Sequence, residues 1–207
     1  MKIFTFWEPK ENIPAYLKLC MMTWEKFIPN AEIIILDYSS MRDYIDIDAY
    51  DKSLFDGKFS LPQIADAIRS MLLEKHGGLW MDTDTILLKP GFEKYLLSDK
   101  EVTFFGDVEK RNVSIAWINA KKNAKLLEKW VDYNKDKIEN FVKPERDFWA
   151  YLGNIFVNPY VKQHDDEVEI LDINQCWPER NLKICADHPT LYREYYFKTS
   201  LHLNDIT

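Results

Sequence analysis

At 207 residues, with 46% hydrophobic and 29% charged side chains, the chain suits one domain with a sizeable core and reads as an ordinary soluble globular protein, not a disordered one. The net charge of −7 excludes an extended nucleic-acid surface, which should be basic, and gives little attraction to anionic lipid. No apolar run approaches transmembrane length.

The N-terminal stretch Lys2 to Trp7 predicts a buried strand closed by Pro9 and lacks the length and small-residue cleavage site of a signal peptide. Pro14 to Phe27 predicts a helix, and Ala31 to Asp37 a second strand. Ser60 to His76 predicts another helix, with Ser60 as N-cap, Gln63 as capping-box partner, Pro62 in the first turn and Gly77-Gly78 as its stop. Ile64, Ala65, Ala67, Ile68, Met71 and Leu72 fall on one side at helical spacing, so that side should face a sheet; Asp66 and Arg69 fall together on the other. Leu79 to Met81 predicts a third strand. Strands alternating with helices imply a mostly parallel sheet with crossover helices, whose ligands bind at the carboxyl ends of the strands. Trp7 and the pair Asp82 and Asp84 fall at such ends.

The second half is less regular. Val102 to Phe105 and Ser114 to Ala120 predict strands, and Ala124 to Ile138 an amphipathic helix. After Val142 the pattern loosens into short aromatic pieces with turn residues, and no repeat or linker divides the chain. The expected organisation is one domain over 1–207, with a nucleotide-sugar half at about 1–107 and an acceptor half at about 108–207.

Two acids carry the chemistry. If the strand continues past Met81, Asp82 and Asp84 point to one face and repel each other unless a cation lies between them. A hard divalent ion on one or two carboxylates completes its shell with water and phosphate oxygens. Alone, the pair also fits a turn with solvated acids, Asp66–Arg69 a surface ion pair, and Trp7 a core residue. Cys20, Cys176 and Cys185 lack framework spacing and fit a reducing cytosol; Cys176 and Cys185 with His164 and His188 match no usual zinc spacing.

The ordered set Ile64-Ala65-Asp66-Ala67-Ile68-Arg69, His76-Gly77-Gly78-Leu79-Trp80-Met81-Asp82-Thr83-Asp84 and Leu88-Lys89-Pro90 resembles the sugar-binding region of glycosyltransferase family 32 and the related capsular polysaccharide synthesis proteins. Phe6-Trp7, the proline-containing loop, Cys20 to Trp24 and Pro29 resemble the opening of the same families, and residues 1–90 carry the likeness. The resemblance implies a GT-A type, Rossmann-like α/β fold: a mixed, mostly parallel sheet flanked by helices. It implies a retaining, metal-dependent transferase that takes a sugar from a nucleotide diphosphate, with UDP as the expected carrier. The acceptor is then a polysaccharide or lipid-linked glycan, and the location cytoplasmic, with peripheral contact to the inner membrane face through the helix containing Leu126, Leu127, Trp130 and Val131.

Carried across by residue, the resemblance makes Asp84 the ligand of Mn²⁺ (or Mg²⁺). Asp82 supports the metal shell and contacts ribose or donor sugar, Asp66 and Arg69 hold sugar hydroxyls, and Trp7 stacks on the base. His202 is the expected further metal ligand, with Asn204 on its face, although the Ser-Trp element that follows in the families is missing. Asp107 and Asp147 are candidates for the acceptor side. Two other functions remain open from sequence: a haloacid-dehalogenase-type phosphatase using Asp82 as nucleophile, and a non-catalytic carbohydrate-binding module. The phosphatase pattern would need an acid where Arg111 stands.

Overall fold

Along β1 (Lys2–Phe6), Ile3 packs on one face of the sheet while Phe4 and Phe6 pack on the other, the period-two signature of a strand buried on both sides. The computed structural model describes residues 1–175 apart from 51, 89 and 145–147. His202, Asn204, Cys176, Cys185, His188, Lys89 and Asp147 therefore lie outside the described residues.

The chain continues as α1 (Ala15–Phe27), β2 (Glu32–Leu36), α2 (Leu61–His76), β3 (Gly78–Met81), β4 (Val102–Asp107), β5 (Asn112–Ala120), α3 (Lys125–Glu139), α4 (Asn154–Gln163) and β6 (Val168–Asp172). The strands form one six-stranded sheet in the order β2-β1-β3-β5-β4-β6. Three of its five pairings are parallel; β3–β5 and β4–β5 run antiparallel. This is the mixed, mostly parallel α/β sheet expected from sequence. One core gathers Phe4, Trp80, Phe104 and Ile118 against α2, α3 and α4. The other gathers Ile3, Leu79, Met81 and Trp117 against α1.

Both ends of α2 have the predicted chemistry. Gln63 Oε1 accepts the Ser60 N–H at 2.8 Å, closing the capping box. Gly77 has φ +64°, and a methyl there would stand 2.6 Å from the Lys122 nitrogen, so glycine is needed for conformation and for space.

Three expectations are corrected. The Asp66–Arg69 pair is not the surface ion pair that the sequence left open: the two residues are 6% and 5% exposed, with Gly153 and Ile115 against Asp66 and the Trp80 ring against Arg69. The apolar face of α3 is not available to a membrane; Leu126, Leu127 and Trp130 are fully buried in the core. The loose aromatic region after Val142 contains a helix and a strand, α4 and β6, the latter a parallel partner of β4. Among the described residues, no helix is long and apolar enough to cross a membrane.

Candidate active site

Strand β3 ends at Met81, so Asp82 and Asp84 do not share the face of an extended strand. The Asp82 N–H donates to the Ala116 carbonyl of β5 at 2.9 Å, and the Thr85 N–H returns to the Asp82 carbonyl at 3.0 Å. The acids thus stand at the first and third positions of a strand-end turn over 82–85. Helix α1 fixes its far side: Trp24 Nε1 donates to the Thr85 carbonyl at 2.7 Å, and the Leu87 N–H to Thr23 Oγ1 at 2.9 Å.

A cleft of about 310 Å³ opens at the carboxyl ends of β1 and β3. Trp7, Arg69, Asp82 and Asp84 all line it, together with Glu8, Trp80 and the first turns of α2 at Leu61, Pro62 and Ala65. The site is therefore assembled from residues up to 77 positions apart, Trp7 to Asp84, by the parallel pairing of β1 with β3. Glu8 escaped the sequence reading although it follows Trp7 directly.

Asp66 is placed one layer behind the cleft wall, on Arg69. The Arg69 guanidinium lies 3.0 Å from Asp66 Oδ1 and 3.3 Å from Asp82 Oδ1, and it stacks over the Trp80 ring at 4.7 Å. Its remaining nitrogens donate to the carbonyls of Ala65 and Ile115. Arg69 is consequently committed within the protein and acts as the clamp that fixes Asp82. Trp80 Nε1 donates to the same Asp82 oxygen at 2.7 Å.

An irregularity in β5 makes this clamp possible. The β4–β5 register jumps from Phe104↔Ile118 to Phe105↔Ser114, which leaves Ile115, Ala116 and Trp117 without partners in β4. One of the released carbonyls, that of Ile115, is used by Arg69, while the Ala116 carbonyl faces β3 and takes the Asp82 N–H as the next rung of that ladder. Gly153 completes the packing behind Asp66. A Cβ there would collide with the Asp66 carboxylate and lie 2.6 Å from Ile115 Cδ1.

Burial pushes the Asp66 carboxyl up to about 7; Arg69 opposes the shift and the charge of Asp82 adds to it. The folded chain then holds a proton that the unfolded chain releases near 3.8, so this group's stabilising contribution is complete below that pH and is lost as pH rises toward about 7. Urea unfolding across this window should show stability falling with pH, and Asp66→Asn should flatten that part of the profile. A profile with the same slope in the variant would contradict the assignment. On the other side of the turn, burial first and the charge of Asp84 second raise the Cys20 thiol to about 11, so Cys20 is an inert core thiol.

Glu8, Asp82 and Asp84 face Arg69 as the one basic residue among the described cleft-lining side chains, so the wall carries excess negative charge. Among the described residues, no three His, Cys, Asp or Glu side chains converge as a complete metal shell would. That donor set fits a hard divalent cation taking one or two protein carboxylates and filling its shell with water and phosphate oxygens. Asp107 is a surface acid, bonded to the Lys110 N–H at 2.9 Å and its ammonium at 3.0 Å. Arg111 donates both guanidinium bonds to the Val161 carbonyl at the end of α4.

A strand-end cleft with acids on a turn, an aromatic wall and a buried arginine clamp, set in a mixed six-stranded sheet, defines an α/β protein with a ligand-sized cleft at the carboxyl ends of its strands. The chain belongs to the family of capsular polysaccharide synthesis proteins, which it matches over residues 1–178, well past the first 90 positions that carry the visible motifs. Its fold is similar to that of the solved PaToxG glycosyltransferase, with a TM-score of 0.58 at 19% identity over 79% of this chain and 68% of that one. No curated protein sequence matches it.

Proposed function

We propose that this chain is a metal-dependent, retaining glycosyltransferase that moves a sugar from a nucleotide diphosphate sugar, with UDP as carrier, to a polysaccharide or lipid-linked glycan. The observation that carries the proposal is the single cleft that gathers Trp7, the Arg69–Asp82 clamp and Asp84 at the ends of β1 and β3. A cleft wall with surplus carboxylate repels a diphosphate unless a cation intervenes, and a cation there offsets the charge that develops as the nucleotide leaves.

In this reading Asp84 is the principal metal ligand and Asp82, oriented by Arg69 and Trp80, faces the donor sugar and the metal shell. Asp66 and Arg69 act by positioning Asp82. Trp7 supplies a stacking surface for the base, an interaction of ~1–3 kcal/mol per base. His202 remains the proposed additional ligand. The whole chain serves as one catalytic domain acting in the cytoplasm. Retention and the carrier rest on the family resemblance.

Titration calorimetry with UDP-sugars, with and without Mn²⁺, tests the proposal together with an assay for sugar release. Mn²⁺-dependent binding and release support it. Phosphate release from simple phosphomonoesters would point to the phosphatase chemistry, and glycan binding indifferent to chelator to a binding module; either result overturns it.

A further inference from the structure

Glu8 lines the cleft beside Trp7 yet has no place in the acid turn or the arginine clamp. Among the described residues it joins no metal-binding group with Asp82 and Asp84. An ionised carboxylate only accepts hydrogen bonds, so a ligand that tolerates it must offer donors at that point. In a nucleoside diphosphate most exposed polar atoms are acceptors. Uracil presents one N–H between two carbonyls, whereas ribose presents two adjacent hydroxyls, a spacing that suits a carboxylate.

The surroundings hold Glu8 in place. Its Oε2 accepts the Tyr38 N–H at 2.8 Å. Tyr38 is itself fixed, with its ring against Phe6 at 5.6 Å and Phe55 at 5.3 Å. The loop around it is closed by Asp37 Oδ1, which accepts from the Ser39 and Ser40 N–H groups at 3.1 and 2.8 Å. The Trp7 N–H donates to the Leu36 carbonyl at 2.9 Å, locking the end of β1 to that of β2. The carboxylate and the Trp7 ring thus stand on consecutive residues of one rigid strand end. Asp82 is a poorer candidate for the same task, since Trp80 and Arg69 already share its Oδ1.

We propose that Glu8 reads the ribose of the nucleotide, with the Tyr38 N–H holding one carboxylate oxygen while the carboxylate accepts from the vicinal 2′- and 3′-hydroxyls. This rests on the reading of the cleft as a nucleoside diphosphate site. It makes the cleft selective for ribonucleotides over deoxyribonucleotides whatever the base.

The test compares UDP with 2′-deoxy-UDP by calorimetry in the presence of Mn²⁺, for the unaltered protein and for Glu8→Gln. The glutamine keeps a carbonyl for the Tyr38 N–H and replaces the other acceptor with a donor. The unaltered protein should bind UDP about 10-fold or more tightly than the deoxy analogue. In Glu8→Gln that ratio should fall toward one, chiefly through weaker UDP binding, while unchanged binding of 2′,3′-dideoxy-UDP, which offers Glu8 no hydroxyl, shows that the cleft is intact. A ratio preserved in the variant overturns the assignment. So does a variant in which only the preference between UDP and GDP changes, since Glu8 would then read the base. If the unaltered protein binds no nucleoside diphosphate at all, the reading of the cleft itself fails and this assignment with it.

Discussion

Replacing Asp84 with alanine is expected to lower metal-dependent sugar transfer on the order of 10²–10³-fold, the usual scale for losing one preorganised charge-stabilising group. Initial rates measured against Mn²⁺ concentration should show a raised metal requirement as well as a lower plateau. Asp82→Ala should differ in kind. Asp82 is the shared acceptor for Arg69 and Trp80, so its loss also leaves a buried guanidinium and an indole N–H short of a partner. Asp82→Ala should therefore lose stability together with activity. A folded Asp84→Ala enzyme with unchanged rate and unchanged Mn²⁺ dependence would falsify the metal assignment.

The second large effect is on stability. Above pH 7, where Asp66 is ionised, Arg69→Ala should destabilise the fold by about 3–5 kcal/mol, because it removes the charge that compensates the buried carboxylate beside Asp82. The loss should shrink at lower pH as Asp66 takes up its proton. The double variant Asp66→Asn with Arg69→Met should recover a substantial part of that loss, since the buried carboxylate is then gone and only the part-exposed Asp82 lacks its partner. Urea denaturation of the single and double variants measures the difference. Equal losses in both would mean that Arg69 contributes by packing on Trp80 and not by charge. Activity should stay low in the double variant even where stability returns, because Asp82 has lost its clamp.

Local chemistry made the first half of the fold legible. The capping box at Ser60, the glycine pair after His76 and the alternation of β1 are determined within a few residues of themselves, and each appears where the residues indicate. The site positions were legible in kind: Trp7, Arg69, Asp82 and Asp84 do meet in one cleft. Their arrangement was hidden because it depends on distant carbonyls. Nothing near Asp82 tells that the chain turns there: its N–H still makes the next rung of the β3–β5 ladder, to the Ala116 carbonyl, and the turn closes on its own carbonyl through the Thr85 N–H. The Asp66–Arg69 spacing was visible, but burial of the pair comes from Trp80 and Ile115 on the sheet and from Gly153, the last contributed by a region with no clear period. Helix α4 was obscured by Pro159 in its interior, and β6 by a short sequence whose strand character depends on pairing with β4. Glu8 was overlooked for a different reason: a carboxylate after a strand looks like any solvated acid until Tyr38 is seen to hold it.

The indole of Trp24 couples α1 to the segment that carries both acids, since the ring is fully buried in one core while its N–H holds the Thr85 carbonyl. The acids are in this way braced from the opposite layer of the molecule as well as from β5. Little ordering of the turn is left for a ligand to impose, so its affinity is spared that entropic cost. Slack introduced far from the cleft, at the seat of Trp24, would reach the acids as misalignment, and turnover would suffer before the fold itself gave way.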